Sequence, residues 1–238
     1  YNAVHAPAEA PQEDIGEFEQ RFPEISEERA ILMAMLRHLD DGVGAVITKL
    51  KEKDVFDNTI VFFLTDNGGA KGMQADNTPL RGYKASLDEG GIRTPFFVSW
   101  PERFKGGRTI DTPVISFDIL PTVLDASNSL PGENDFDGKS LLPLLTGDAT
   151  SHHDVLYWSK GEEDEWAVRR GDWKLHYRRG KFELIDLNND PSETTNLASE
   201  HPERVSELAR AFDAWLKPMA DPITGEVKRV DKPIYVTE

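Results

Sequence analysis

The sequence predicts an α/β fold: part of a mainly parallel sheet flanked by helices, followed by a small α+β subdomain holding an antiparallel meander and a helix. Three observations carry this. Residues 60–64 (IVFFL) and 96–100 (FFVSW) are continuous apolar runs bounded by turn residues, the pattern of strands buried on both faces. Apolar residues at helical spacing precede the first run and follow the second, an α/β alternation. After residue 150 the texture changes to short strands cut by glycine-containing turns. The boundary is therefore set at 150, with residues 1–150 in the α/β core and 151–238 in the subdomain and tail.

In chain order, residues 1–25 are rich in Pro and Glu and read as an irregular lead-in. Ser26 followed by Glu27 and Glu28 is a helix start, with acids at the positive helix end. Leu32, Leu36, Leu39, Val43, Ile47 and Leu50 then form one stripe, and the helix should end near Lys53. His38, Asp40 and Asp41 sit in its middle, and Asp40 and Asp41 read as a polar face near a bend at Gly42 and Gly44. The two apolar strands follow. VISFDILPTVLDAS leads a strand or loop into a helix with Pro121 in its first turn. Residues 127–135 are polar and loop-like. EWAVRRGDWKLHYRRGKFELIDL reads as three strands split at Gly171-Asp172 and Gly180-Lys181. An amphipathic helix starts at Pro202, with Val205, Leu208, Phe212 and Leu216 on one face. The last twenty residues have no clear period.

Composition narrows the function classes. At 238 residues and 38% hydrophobic content the chain can bury a substantial core. A net charge of -16, from 43 acidic and 27 basic residues, argues against nucleic-acid binding through a broad basic face. An anionic substrate would need locally placed cations. With no cysteine, disulfides, thiolate metal sites and a Cys nucleophile are excluded within this chain. No apolar run approaches the roughly 20 residues of a membrane span, and no signal segment is visible.

Asp66 and Asn67 stand where the first apolar strand ends, the end at which parallel α/β sheets bind ligands. A carboxylate beside an amide oxygen suits Ca²⁺ or Mg²⁺ rather than zinc. Gly68 and Gly69 would let the backbone approach a ligand. A plain Asx turn explains these residues equally well. His5, in NAVHAP, has Pro7 stiffening the chain after it, and nothing local to set its pKa. Lys84, in LRGYKASLDEGGIRTP, is a compact point charge able to hold one oxyanion. Arg81 and Arg93 either assist it or pair with Asp88 and Glu89. Read alone, that loop fits a solvated charged segment better. His152 and His153 could bind metal, but no carboxylate at ligand spacing supports it, so they read as loop. Trp166 and Trp173 read as cover for the subdomain core rather than as a sugar platform.

The order of these stretches says more than any one of them. YNAVHAP, HLDDGVG, FDNTIVFFLTDNGG, LRGYKASLDEGGIRTPFFVSWP, FDILPTVLDAS and DGKSLLPLL together closely resemble the C-terminal half of the type I sulfatases, in the alkaline phosphatase superfamily. AVRRGDWKLHYRRGKFELIDLNNDPSETTNLA resembles that family's small C-terminal subdomain. The resemblance runs from residue 1 to about 217. It implies hydrolysis of sulfate esters, with Asp66 and Asn67 as two Ca²⁺ ligands, His5 at the leaving oxygen and Lys84 on the sulfate oxygens. The family's nucleophile is a formylglycine made within a C/S-x-P-x-R motif, and no such motif occurs here. The chain therefore reads as a piece of a longer enzyme whose N-terminal half supplies the nucleophile and the remaining calcium ligands. A periplasmic, secreted or lysosome-like location is implied by resemblance alone.

Two other readings stand beside it. One is a phosphodiesterase or phosphonate monoester hydrolase of the same superfamily, in which His typically stands at the position of Asn67. The other is a non-catalytic structural or glycan-contact piece. Residues 135–139, 158–166 and the tail are candidate rim segments for substrate choice.

Overall fold

A computed structural model describes residues 3–132, 136–160 and 165–219. Its contacts divide the chain into two compact units, Tyr1–Glu102 and Arg103–Glu238, so residue 150 falls inside the second.

The first unit opens with a helix where an irregular lead-in was expected. This is α1, Gln12–Arg21, packed on α2, Glu27–Glu52. Ile15, Ala30 and Ala34 form the buried seam, with Phe18, Ile25 and Ile31 against it. Charge reinforces the pair: Asp14 meets Arg37 and lies 2.7 Å from His38, and Glu17 lies 2.7 Å from Arg37. The α1 sequence QEDIGEFEQR carries only Ile15 and Phe18 as apolar anchors, too few to announce a helical period. Glu13 and Asp14 in its first turn and Arg21 in its last are the signal that was present.

The predicted ends of α2 agree with the structure. Ser26 is the N-cap, its hydroxyl accepting from the Arg29 N–H at 3.2 Å. The predicted stripe is only partly buried: Leu32 is inside, while Leu36 is 45% exposed. The helix runs unbroken through Gly42 and Gly44.

The two apolar runs form β1, Val61–Leu64, and β2, Phe96–Ser99, with the short α3, Glu89–Ile92, between them. Parallel-type strands buried on both faces were expected. These two pair with each other antiparallel, Val61 opposite Ser99 and Leu64 opposite Phe96. β1 is half-buried throughout, and Phe97 on β2 is 63% exposed. A continuous apolar run reports two apolar surroundings and carries no information on the direction of the neighbouring strand.

The second unit holds α4, Ile119–Ala126, entered through a 3₁₀ turn at Ser116–Asp118, and α5, Leu142–Thr146. A meander in the order β3-β4-β5-β6 follows: Val155–Ser159, Glu165–Arg170, Trp173–Arg178 and Lys181–Asp186. The sequence reading found the last three of these strands and not β3. Gly171 and Gly180 take φ +56° and +79° at the turns, where a Cβ would be strained. The helix α6, Pro202–Leu216, covers the sheet. Trp166, Val168, Leu175, Leu184, Leu208, Ala209 and Phe212 make the core. Trp166 is the hub, 1% exposed, stacked on Phe212 at 4.1 Å and on Tyr177 at 5.4 Å. That is the core role expected of it and excludes it from any rim. Among the described residues an ion pair is fully buried: Lys174 of β5 reaches Glu193 at 2.9 Å, both side chains 0% exposed. Residue 135, residues 161–164 and the last nineteen residues, parts of the candidate rim and tail, lie outside the described residues.

Candidate functional site

Asp66 and Asn67 follow β1 directly, Asp66 exposed and Asn67 half-buried. Both are held by the backbone that comes next. The Gly68 N–H donates to the Gly91 carbonyl at 2.9 Å, and the Lys84 N–H donates to the Gly69 carbonyl at 3.0 Å. The loop carrying Lys84 is thus hydrogen-bonded to the loop carrying the two oxygen donors. Glycine is required at residue 68, where an added Cβ would sit 1.8 Å from the Gly90 carbonyl oxygen.

Asn77, which the sequence reading passed over, ties these loops together. Its Oδ1 accepts from the Gly69 N–H at 3.1 Å, and its Nδ2 donates to the carbonyls of Gly69 at 3.1 Å and Gly82 at 3.0 Å. Beside it, the N–H and hydroxyl of Thr78 donate to Asp76 and hold that carboxyl below its ordinary range. Nothing in the residue string DNTPLRG marks Asn77 as a bridge, because its partners are backbone atoms of two glycine loops.

The Lys84 side chain is exposed. Arg81 takes the pairing alternative: its Nη2 donates to Asp88 Oδ1 at 2.8 Å and its Nε to the same oxygen at 3.1 Å. Ser86 donates to the other oxygen of Asp88 at 2.5 Å. Asp88 is therefore a structural anchor of the Lys84 loop. His5 is exposed in a turn near the chain start, with Nδ1 3.2 Å from the Ala6 carbonyl oxygen.

The donor set fits a hard cation. Asp66 and Asn67 offer oxygen ligands without sulfur or imidazole, on a loop whose glycine backbone packs too closely for any other residue. His152 and His153, read as loop, have a carboxylate partner after all in Asp118, with ligand atoms of all three within 4.8 Å of one another. The sequence hid this because Asp118 lies more than thirty residues upstream.

Comparison with solved structures gives the class: the chain has the mixed α/β, alkaline-phosphatase-like fold. It aligns with Ps i-CgsB, crystallised in complex with k-i-k-neocarrahexaose, at TM-score 0.80 and 28% identity, covering 90% of this chain and 48% of that one. PsFucS1 sulfatase from Pseudoalteromonas sp. aligns at TM-score 0.74 and 22% identity, covering 94% of this chain and 48% of that one, a likeness of fold alone.

The chain belongs to the sulfatase family. The family model described as Sulfatase matches residues 1–129, and that described as N-sulphoglucosamine sulphohydrolase, C-terminal, matches residues 83–218. Among curated relatives, steryl-sulfatase of Mus musculus is 31% identical over 220 residues, 75% of this chain and 35% of the relative. The uncharacterised sulfatase YdeN of Escherichia coli is 26% identical over 268 residues, 94% of this chain and 47% of the relative. Arylsulfatase of Hemicentrotus pulcherrimus is 35% identical over 156 residues, 63% of this chain and 28% of the relative. The chain thus spans half or less of the length of these relatives. Among the described residues no helix is long and apolar enough to cross a membrane.

Proposed function

We propose that this chain forms part of a sulfatase that hydrolyses sulfate esters, with sulfated carbohydrates as the substrate class. The observation that carries the reading is the hydrogen bond from Lys84 N–H to the Gly69 carbonyl. It links a point cation and two oxygen donors next to one strand end, in a chain of the sulfatase family. The carbohydrate class rests on the neighbour crystallised with k-i-k-neocarrahexaose.

In this reading Asp66 and Asn67 hold Ca²⁺, together with ligands from chain outside residues 1–238. When bound, the ion supplies positive charge to a sulfate that the acidic protein would otherwise repel. Lys84 grips a sulfate oxygen with its ammonium and stabilises charge on the transferring group. His5, whose Nδ1 lies 3.2 Å from the Ala6 carbonyl oxygen, delivers a proton to the leaving oxygen. The nucleophile is a formylglycine, also outside this chain.

The exposed apolar residues Phe97, Leu120, Phe117 and Val123 and the pairing of β1 with β2 alone among the described residues support packing of this chain on further sheet and helix of the enzyme, because two strands alone are marginal in water. An exported location fits a family acting on such esters.

The test uses the intact protein from a host that makes formylglycine. Initial rates on an aryl sulfate and the matching aryl phosphate are compared with Ca²⁺ and with chelator. Calcium-dependent sulfate turnover, lost in Asp66→Ala, is expected. Preference for the phosphate, or turnover indifferent to chelator, would overturn the reading.

A further inference from the structure

We propose that Asp118, His152 and His153 form a transition-metal site, suited to Zn²⁺ and chemically unlike the oxygen-only pair of Asp66 and Asn67. Asp118 closes the 3₁₀ turn before α4, and the two histidines precede β3. All three side chains are removed from water: Asp118 is 0% exposed, His152 5% and His153 7%.

The carboxylate is oriented before any histidine reaches it. Its Oδ2 accepts from the Ile115 N–H at 2.9 Å and its Oδ1 from the Lys139 N–H at 2.9 Å. His153 Nε2 lies 2.8 Å from Oδ1 and 3.1 Å from Oδ2. His152 Nε2 lies 3.2 Å from Oδ2. The two imidazoles meet edge-on, centroids 4.5 Å apart at 81°, and both aim Nε2 at one carboxylate. Lys139 Nζ donates to the His152 carbonyl at 3.2 Å and fixes the loop from behind.

His152 carries the independent observation. Its Nε2 is buried and, although 3.2 Å from Asp118 Oδ2, makes no hydrogen bond of good geometry. A buried polar atom left without a well-formed hydrogen bond costs up to about 1–3 kcal/mol and calls for an ion or water. Neither neutral tautomer satisfies the site. With hydrogen on Nε2, the donor has no acceptor in hydrogen-bonding geometry. With hydrogen on Nδ1, the Nε2 lone pair faces a carboxylate oxygen. A cation among the three groups removes both problems, provided His153 also takes the Nδ1–H tautomer. Two imidazole nitrogens and one carboxylate oxygen suit Zn²⁺ or Co²⁺ and not Ca²⁺, and the two backbone donors on Asp118 act as the orienting outer contacts such sites use.

The test takes the intact protein, stripped with chelator and then held in excess Ca²⁺ to fill the oxygen-donor site. CoCl₂ is titrated while the visible d–d absorption of a low-symmetry site is followed, and ZnCl₂ is then added as competitor. One equivalent of Co²⁺, displaced by Zn²⁺, is expected. His152→Gln should weaken uptake by at least about tenfold while far-UV circular dichroism stays unchanged. It is preferred to changes at Asp118, which would also remove backbone contacts. X-ray absorption on the zinc-loaded wild type needs no variant and should read two imidazole shells. Absence of Co²⁺ uptake in Ca²⁺, unchanged uptake in His152→Gln, or an oxygen-only zinc shell would each overturn the proposal.

Discussion

The backbone N–H of Lys84 donates to the carbonyl of Gly69 at 3.0 Å, one residue after Gly68 bonds the Gly91 carbonyl. A methyl at residue 68 would collide with the Gly90 carbonyl, and backbone cannot swing aside as a flexible side chain can. Gly68→Ala should therefore separate the two loops. In the intact enzyme, kcat/KM for an aryl sulfate should fall at least about tenfold, the equivalent of ~1.4 kcal/mol. The Ca²⁺ concentration for half-maximal rate should rise. A calcium titration of the rate checks both.

Asn77 makes three hydrogen bonds to the backbone of Gly69 and Gly82. Asn77→Ala takes this partner from the Gly69 N–H and the Gly82 carbonyl, at about 1–3 kcal/mol, while the Gly69 carbonyl keeps the Lys84 N–H. Amide hydrogen exchange in residues 68–84 should quicken, a loss of local protection that a thermal melt would register only weakly.

His5 is assigned the leaving-group proton. His5→Ala should slow esters of poor leaving groups more than activated aryl esters, because only the former need protonation. Equal loss on both would remove the assignment; comparing the two rate ratios in the intact enzyme decides it.

Much of this was readable where the deciding physics is local. Ser26, Glu27 and Glu28 mark the start of α2, and Gly171 and Gly180 mark the turns of the meander, because caps and positive φ act within a few residues. Helix α1 was not readable: two apolar residues set no period, and its stability comes from Ala30, Ala34 and Arg37 of another helix. The antiparallel pairing of β1 with β2 is likewise a property of the partner. His152 and His153 were visible as a pair, but their carboxylate arrives through the fold. Asp66 and Asn67 were visible as adjacent oxygen donors after a strand, while Asn77, which ties their loop to the Lys84 loop, bonds to backbone atoms common to every residue.

Trp166 anchors the second unit through stacked contacts with Phe212 and Tyr177. Trp166→Ala should cost about 3–5 kcal/mol by leaving a cavity beneath α6. Trp166→Phe should cost less. Chemical denaturation followed by circular dichroism measures both.

Glu165 pairs with Lys160 at 2.6 Å, His176 at 3.2 Å and Arg178 at 3.3 Å. Burial alone would raise its pKa; the hydrogen bond from Lys160 and the charges of Lys160, Arg178 and His176 outweigh it and leave the carboxyl below its ordinary value. Its contribution to stability is therefore full above the ordinary glutamate range and is lost as pH falls through the lowered folded value. Glu165→Gln should flatten the acid limb of a stability–pH profile while leaving the limb above neutrality alone.

The buried pair of Lys174 and Glu193 has a consequence for how the meander assembles. Side chains alternate faces along a strand, so sliding β5 by one residue would turn Lys174 away from Glu193 and leave two isolated charges. Such a misaligned sheet could keep most of its backbone hydrogen bonds and much of its greasy contact, yet it would carry a penalty of several kcal/mol for each stranded ion. The pair thus works as an alignment pin: whatever it adds to the stability of the correct sheet, it disqualifies the near-miss.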